Sequence, residues 1–291
     1  MALTLSILYR GPLLSCNYDC GYCPFAKRRE SAAELDADRL ALGRFVDWAA
    51  ARPAGDSLRV LFTPWGEALT RKWYQTALVQ LCGMGHVEKA AIQTNLSAGL
   101  SWLDGCDLTK LALWATYHPT QVSRETFLSR CRELTARGVA YSVGVVGTRE
   151  HFGEIDAMRA ELPAGVYLWV NAYKDVPGYY TAAEAAWLGA VDPHFRFNNA
   201  RHPSRGRPCR TGEHVISVDG AGDMRRCHFV KEVIGNLYEP GFEAALRERP
   251  CPNSTCGCYI GYVHMPDLGQ AQIFGDRLLE RIPLHVSTSG R

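Results

Sequence analysis

Residues 3–23 read LTLSILYRGPLLSCNYDCGYC, and they carry the main signal for both fold and chemistry. The apolar run Leu3–Tyr9 predicts a β-strand. Cys16, Cys20 and Cys23 follow it in a short loop with the spacing C-x3-C-x2-C. Thiolates suit iron–sulfur clusters or zinc, and a purely structural site of either kind usually takes four protein ligands. The local group stops at three, and a [4Fe–4S] cluster held by three cysteines leaves one iron position open, which a substrate can occupy. A zinc site with a fourth ligand from elsewhere in the chain stays open as an alternative.

Strand-like and helix-like segments alternate after this loop. The further predicted strands are Val60–Thr63, Ala90–Thr94, Leu111–Tyr117, Tyr141–Val146 and Val166–Val170, and the helices between them include Thr70–Met84, Ser123–Arg137 and Glu150–Leu162. Six consecutive β-then-α units predict a parallel sheet whose chemistry lies at the C-terminal ends of the strands. The predicted fold class is α/β: a partial (β/α)6 TIM-like barrel with a small C-terminal, Cys-rich module of a β-hairpin and a helix.

The composition excludes several classes of protein. Hydrophobic residues make up 47% of the 291 residues and charged residues 21%, which predicts a sizeable core rather than a disordered or fibrous chain. The formal net charge of +2 offers no electrostatic attraction to nucleic acid or to an anionic membrane. The eleven cysteines are an odd number, and the N-terminal residues lack a secretory signal. We therefore expect a soluble, cytoplasmic protein whose clustered cysteines bind metal rather than form disulfides.

The first cysteine loop resembles the signature of the radical S-adenosylmethionine (AdoMet) enzymes, which carry C-x3-C-x2-C after the first strand of a partial barrel. The resemblance implies that AdoMet chelates the open iron and that its reductive cleavage yields a 5′-deoxyadenosyl radical, which abstracts hydrogen from a substrate. It also implies contacts to AdoMet along the barrel, from Tyr22, Gly66, Glu67, Asn95 and Gly144. A turn at Gly66 and Glu67 and close packing at Gly144 are the alternative interpretations of three of these residues.

Five more cysteines form a second group later in the chain. They are Cys209, Cys227, Cys251, Cys256 and Cys258. The first two bracket a predicted hairpin, formed by His214–Val218 and Met224–His228, and a helix is predicted around Gly241–Glu248. This layout resembles the auxiliary-cluster modules called twitch and SPASM domains, which implies an auxiliary [4Fe–4S] cluster held by Cys209, Cys227 and two of the last three thiols. A zinc ribbon stays open as an alternative, because the spacings do not exclude zinc.

The predicted domain limits follow from these two groups. Residues 1–200 form the barrel, 201–262 the auxiliary module, and 263–291 a C-terminal tail of unknown role. The residues that end the fourth and sixth strands are candidates for lining a substrate pocket: Tyr117, His118, Asn171, Tyr173 and Lys174. The remaining cysteines, Cys82, Cys106 and Cys131, are expected to be buried small hydrophobes.

The resemblance implies a hydrogen-abstraction reaction, such as an oxidation or a crosslink, on a peptide or a small metabolite. It further implies an electron donor of the flavodoxin or ferredoxin type, for which Lys27-Arg28-Arg29 offers a basic face near the first cysteines. Two other functions stay open. One is a non-catalytic iron–sulfur electron carrier, and the other is a zinc-stabilised binding module in which Cys82 or His118 would supply a fourth ligand.

Overall fold

The computed structural model of the chain describes residues 2–25 and 28–286, and its main feature is a sheet of six parallel strands that follow the order of the sequence. The strands are β1 (Thr4–Arg10), β2 (Ser57–Phe62), β3 (Val87–Thr94), β4 (Leu111–Tyr117), β5 (Ala140–Val146) and β6 (Leu168–Asn171). The helices are α1 (Ala32–Ala50), α2 (Lys72–Gly83), α3 (Arg124–Ala136), α4 (Phe152–Glu161), α5 (Ala182–Val191), α6 (Phe195–Asn198), α7 (Tyr259–Tyr262) and α8 (Gln270–Phe274). The predicted partial (β/α)6 barrel is confirmed. Among these helices, none is long and apolar enough to cross a membrane.

The six strands are buried on both faces, which explains their nearly continuous apolar sequences. Successive side chains alternate between two separate cores. Ile7 and Val60 pack against the helices in the larger of the two, the outer core. Their neighbours Leu8 and Leu61 belong to the inner core, which lies inside the partial barrel. The sequence periodicity could predict the strands but not what fills the inner face.

The C-terminal tail fills the inside of the partial barrel. Met265, Phe274 and Leu279 of the tail belong to the inner core, together with Trp114 of β4 and Trp169 of β6. All five side chains are at most 5% exposed. The tail, for which the sequence suggested no role, therefore completes the barrel interior as far as residue 286.

The predicted hairpin joins the main sheet rather than forming a sheet of its own. Its strands are β8 (Val215–Asp219) and β9 (Asp223–Arg225), followed by β10 (Val233–Asn236), while β7 (His202–Pro203) pairs with β11 (Thr255–Cys256). β8 runs parallel to β1, so the nine-stranded sheet has the order β10-β9-β8-β1-β2-β3-β4-β5-β6. The division of the chain into domains stays a prediction.

The prediction of a helix around Gly241–Glu248 was wrong, because no α-helix forms there. Only one 3-10 turn forms there, over Phe242–Ala245. It starts at Gly241, whose φ of 77° is left-handed, and Pro250 follows shortly after the turn. A segment this short cannot recover the cost of nucleating an α-helix.

Candidate active site

One cavity of about 350 Å³ lies at the C-terminal ends of the parallel strands. Its lining includes the predicted site residues Cys16, Cys20, Cys23, Gly66, Glu67, Asn95 and Cys258. Aromatic side chains cover much of the remaining wall: Tyr18, Phe25, Trp65, Trp114, Trp169, Phe229 and Tyr259. The fold thus brings the first cysteine loop and the residues after β2 and β3 to one apolar cavity, where parallel barrels carry their chemistry.

The cysteine loop is fixed against the turn that follows β2. The backbone N–H of Glu67 donates to the carbonyl of Ser15 over 3.2 Å. A Cβ on Gly66 would lie 1.7 Å from that same carbonyl oxygen, so only glycine allows the two segments to approach this closely. The carboxylate of Glu30 accepts the backbone N–H of Ser15 over 2.9 Å and its hydroxyl over 2.5 Å. Gly66 is therefore required by the packing of the loop itself.

None of the three thiols of the loop forms a disulfide in the described part of the chain. The sulfur of Cys16 accepts the amide of Asn95 at 3.9 Å, and the sulfur of Cys20 lies 3.3 Å from Nδ1 of His118. The backbone N–H of Cys23 donates to the carbonyl of Cys20 over 3.0 Å, which closes the loop. Burial raises the pKa of Cys16. Three thiols that face one cavity are a donor set that fits a cluster with three protein ligands.

Glu67 has its carboxylate engaged by the protein. One oxygen accepts the hydroxyl of Thr94 over 2.8 Å and the N–H of Leu69 over 3.1 Å, and the other accepts the N–H of Asn95 over 2.5 Å. Only 2% of the residue is exposed, and this burial raises its pKa to about 7. Glu67 thus ties the ends of β2 and β3 together at the cavity wall.

The titration of Glu67 predicts a pH-dependent stability. Because its pKa is raised from 4.5 to about 7, the folded chain binds more protons than the unfolded chain between these values. Binding of this proton stabilises the folded chain. Its contribution to the free energy of unfolding is fully present below the unfolded pKa and is lost as the pH rises through about 7. From about pH 5 to about pH 8, we expect the free energy of unfolding of the metal-free chain to fall by about 2–3 kcal/mol more than that of Glu67→Gln. Urea denaturation across this range measures both proteins, and parallel pH profiles would contradict the assignment.

Tyr22 is absent from the described lining of the cavity. Its hydroxyl is 2.8 Å from Nδ1 of His118, and the two rings stack with centroids 6.0 Å apart. His118 lines the cavity, and burial lowers its pKa to about 4, which keeps the imidazole neutral. Tyr22 therefore orients a neutral histidine beside the sulfur of Cys20.

Gly144 makes room for an aromatic wall of the cavity. A Cβ at this position would lie 2.2 Å from the ring of Trp169 on the neighbouring strand. Gly144 itself is absent from the described lining of the cavity. The close-packing interpretation thus has direct geometric support here, and a contact between Gly144 and AdoMet stays a prediction.

The other residues at the strand ends point in different directions. Tyr117 faces the outer core and donates its hydroxyl to Glu154 over 2.9 Å, so it does not line the cavity. Asn171 lines both this cavity and a second one, and Lys174 lines only the second. Tyr173 packs edge-on against Tyr179 with ring centroids 4.9 Å apart. Period-two alternation along β4 could have separated Tyr117 from its neighbours in advance.

The second cysteine group surrounds its own cavity of about 350 Å³. Cys209, Cys227, Cys251, Cys256 and Cys258 all line it. Burial raises the pKa of Cys227 to about 11 and that of Cys256 to about 12. Cys258, itself a member of the second group, also lines the first cavity. Within residues 2–25 and 28–286, no three His, Cys, Asp or Glu side chains are grouped so as to hold a single metal ion.

The three scattered cysteines lie apart from both groups. Cys82 and Cys131 are at most 1% exposed and belong to the outer core, as predicted. Cys82 interacts with the partly buried Cys106 and does not line the first cavity. Of the two candidate fourth ligands for zinc, only His118 reaches the first cysteine loop.

Sequence reasoning missed two basic residues that line the first cavity. Arg10 ends β1 and stacks on Trp65, with its guanidinium carbon 4.0 Å from the ring centroid. Arg281 comes from the tail and stacks on Trp169 at 3.9 Å. No local motif marks either residue, because each reaches the cavity only through contacts between segments far apart in the chain.

Comparison with known proteins identifies structures of the same fold. No protein-family model and no curated protein sequence matches the chain. SuiB from Streptococcus suis, bound to S-adenosylmethionine, aligns with a TM-score of 0.55 at 15% identity and covers 86% of this chain and 67% of that one. The structure of SuiB bound to precursor peptide SuiA gives 0.53 at 16% identity, over 89% and 73% of the two chains. The structure anSMEcpe with bound AdoMet and Cp18Cys peptide gives 0.51 at 12% identity, over 83% and 82%.

Proposed function

We propose that this chain is a radical AdoMet enzyme. The observation that supports this most directly is the grouping of three cysteine thiols on one loop that lines an apolar cavity. In this proposal Cys16, Cys20 and Cys23 hold a [4Fe–4S] cluster. Such a cluster supplies, when bound, the single electron that cleaves AdoMet reductively and starts hydrogen abstraction from a substrate. Structures of the same fold that hold AdoMet lend further support.

The chain's own residues then organise and shield the reaction. Gly66 and Glu67 hold the cysteine loop and the ends of β2 and β3 in a fixed relation. Asn95 presents its amide to the sulfur of Cys16, at the edge where AdoMet would bind. Aromatic side chains, which include Trp65 and Phe229, make the wall of the cavity largely apolar. An apolar wall would keep water away from a radical and so prevent its quenching.

For the second cysteine group we propose an auxiliary [4Fe–4S] cluster. Cys209, Cys227, Cys251 and Cys256 are the four ligands favoured by their position around the second cavity. Cys258 is set apart because it also faces the first cavity. Only one residue separates Cys256 from Cys258 in the sequence, so binding of both thiols to one cluster would strain the backbone between them. A zinc ribbon remains the competing assignment and differs by containing no iron.

The substrate in this proposal is a peptide or a small metabolite that undergoes an oxidation, a crosslink or a related modification. The same-fold structures with bound peptides, SuiA and Cp18Cys, favour the peptide. The electron donor is of the flavodoxin or ferredoxin type. Of its predicted basic docking face, Lys27 lies outside the described residues, while Arg28 pairs with Glu34 over 2.7 Å and Arg29 is exposed.

The test is an assay for 5′-deoxyadenosine. The protein is reconstituted anaerobically with iron and sulfide, mixed with AdoMet and dithionite, and analysed by mass spectrometry. We expect 5′-deoxyadenosine together with about eight irons per chain, since two cubane clusters contain four irons each. Iron without 5′-deoxyadenosine would favour an electron carrier, and zinc without iron would favour a binding module.

A further inference from the structure

Arg281 places a cation in the wall of the first cavity. Its guanidinium carbon lies 3.9 Å from the ring centroid of Trp169, 4.4 Å from that of Tyr259 and 5.6 Å from that of Trp114. Only 4% of the residue is exposed, yet it lines the cavity. Trp114, Thr116 and His118 line the same cavity from alternate positions at the end of β4, and Trp114 is the deepest of the three.

In the described part of the chain, the buried carboxylate of Asp192 interacts electrostatically with this cation without forming an ion pair with it. None of the ion pairs there includes Arg281, and its Nε is buried without a hydrogen-bond partner. The adjacent carboxylate of Glu280 lies 3.7 Å from Lys89 instead. Asp192 already accepts hydrogen bonds from the Tyr167 hydroxyl, at 2.6 Å, and from two backbone N–H groups. Burial of a charge without a directly bonded counterion is costly, which favours the binding of an anion from outside the chain.

A second donor near Arg281 is also unsatisfied. The indole Nε1 of Trp114 is buried without a hydrogen-bond partner, whereas that of Trp169 donates to the hydroxyl of Ser142 over 3.2 Å. The backbone of Arg281 adopts a φ of 54°, which is strained for a residue with a side chain. Strain of this kind persists where the surrounding structure enforces it, and here it accompanies the placement of the guanidinium.

We propose that Arg281 binds a carboxylate group of the substrate. The proposal rests on the proposed function, because it takes the substrate to enter this cavity beside AdoMet. A carboxylate carries one negative charge, which matches the guanidinium of Arg281, and its two oxygens match the guanidinium fork. The aromatic walls fit an apolar body attached to the carboxylate. The substrate class is therefore an acid with an apolar or aromatic body, either a small molecule or a peptide with a free carboxylate.

The test compares 3-phenylpropionate with its neutral amide, 3-phenylpropionamide, on the full chain with and without reconstituted iron. Calorimetry and tryptophan fluorescence report binding, since Trp114 and Trp169 flank Arg281. We expect the carboxylate to bind at least about tenfold more tightly than the amide, and Arg281→Met to remove that preference. Arg277→Met is the matched control, because Arg277 is exposed on the same tail and outside the lining of the cavity.

Equal binding of the acid and the amide to the wild-type protein would overturn the proposal, whether or not Arg281→Met folds. Loss of carboxylate binding in saturating AdoMet would also overturn it, because the carboxylate that occupies the site would then be that of AdoMet. An acid preference that persists in the presence of AdoMet supports a substrate carboxylate. The binding comparison does not depend on AdoMet cleavage, so a failed 5′-deoxyadenosine assay would refute the proposed function separately.

Discussion

Cys20→Ala is expected to reduce 5′-deoxyadenosine formation to the level without protein, and to lower the iron content from about eight to about four per chain. Cys20 is 4% exposed and its sulfur lies 3.3 Å from Nδ1 of His118, so it is the innermost thiol of the loop. With alanine there, two local thiols remain, and they cannot hold a cluster that requires three. Iron analysis and mass spectrometry of the reconstituted variant measure both effects.

The matched control is Cys131→Ala. Cys131 is fully buried in α3, within the outer core and away from both cavities. We expect this variant to keep its iron and to form 5′-deoxyadenosine like the wild type, with only a modest loss of stability. If Cys20→Ala retained both its iron and the cleavage of AdoMet, the first cysteine loop would not be the site of the reaction.

Gly66→Ala is expected to disrupt the same site through the backbone. The new Cβ would lie 1.7 Å from the carbonyl oxygen of Ser15 and 2.4 Å from its carbonyl carbon. Neither backbone atom can yield without moving the loop that carries Cys16, the next residue. We expect a loss of about 3 kcal/mol in the free energy of unfolding and at least a tenfold loss of 5′-deoxyadenosine formation. Urea denaturation of the metal-free chain and the cleavage assay of the reconstituted protein measure the two losses.

Gly21→Ala separates this effect from a general intolerance of the loop. Gly21 lies between Cys20 and Tyr22, and a Cβ there would meet nothing within 4 Å. We expect the variant to behave like the wild type in stability and in AdoMet cleavage. Equal tolerance of alanine at Gly66 and Gly21 would show that close approach to Ser15 is not what Gly66 provides.

The spacing of the cysteines could predict only some of the ligands of the proposed auxiliary cluster. The sequence narrowed its ligands to Cys209, Cys227 and two of three later cysteines. The fold shows Cys258 facing both cavities, which distinguishes it from Cys251 and Cys256. The direction of a side chain in an irregular segment depends on the backbone around it, so counting residues could not separate these thiols.

The sequence by itself determined the alternation of strands and helices and the presence of a three-cysteine loop after β1. Both are local properties, since the periodicity of apolar residues and the spacing of cysteines depend only on residues close together in the sequence. Only the tertiary structure decided that β8 pairs with β1, that the tail fills the barrel, and that Arg281 stacks on Trp169. These contacts join segments far apart in the chain, and they form because the inner faces of the strands must be covered by apolar side chains from elsewhere.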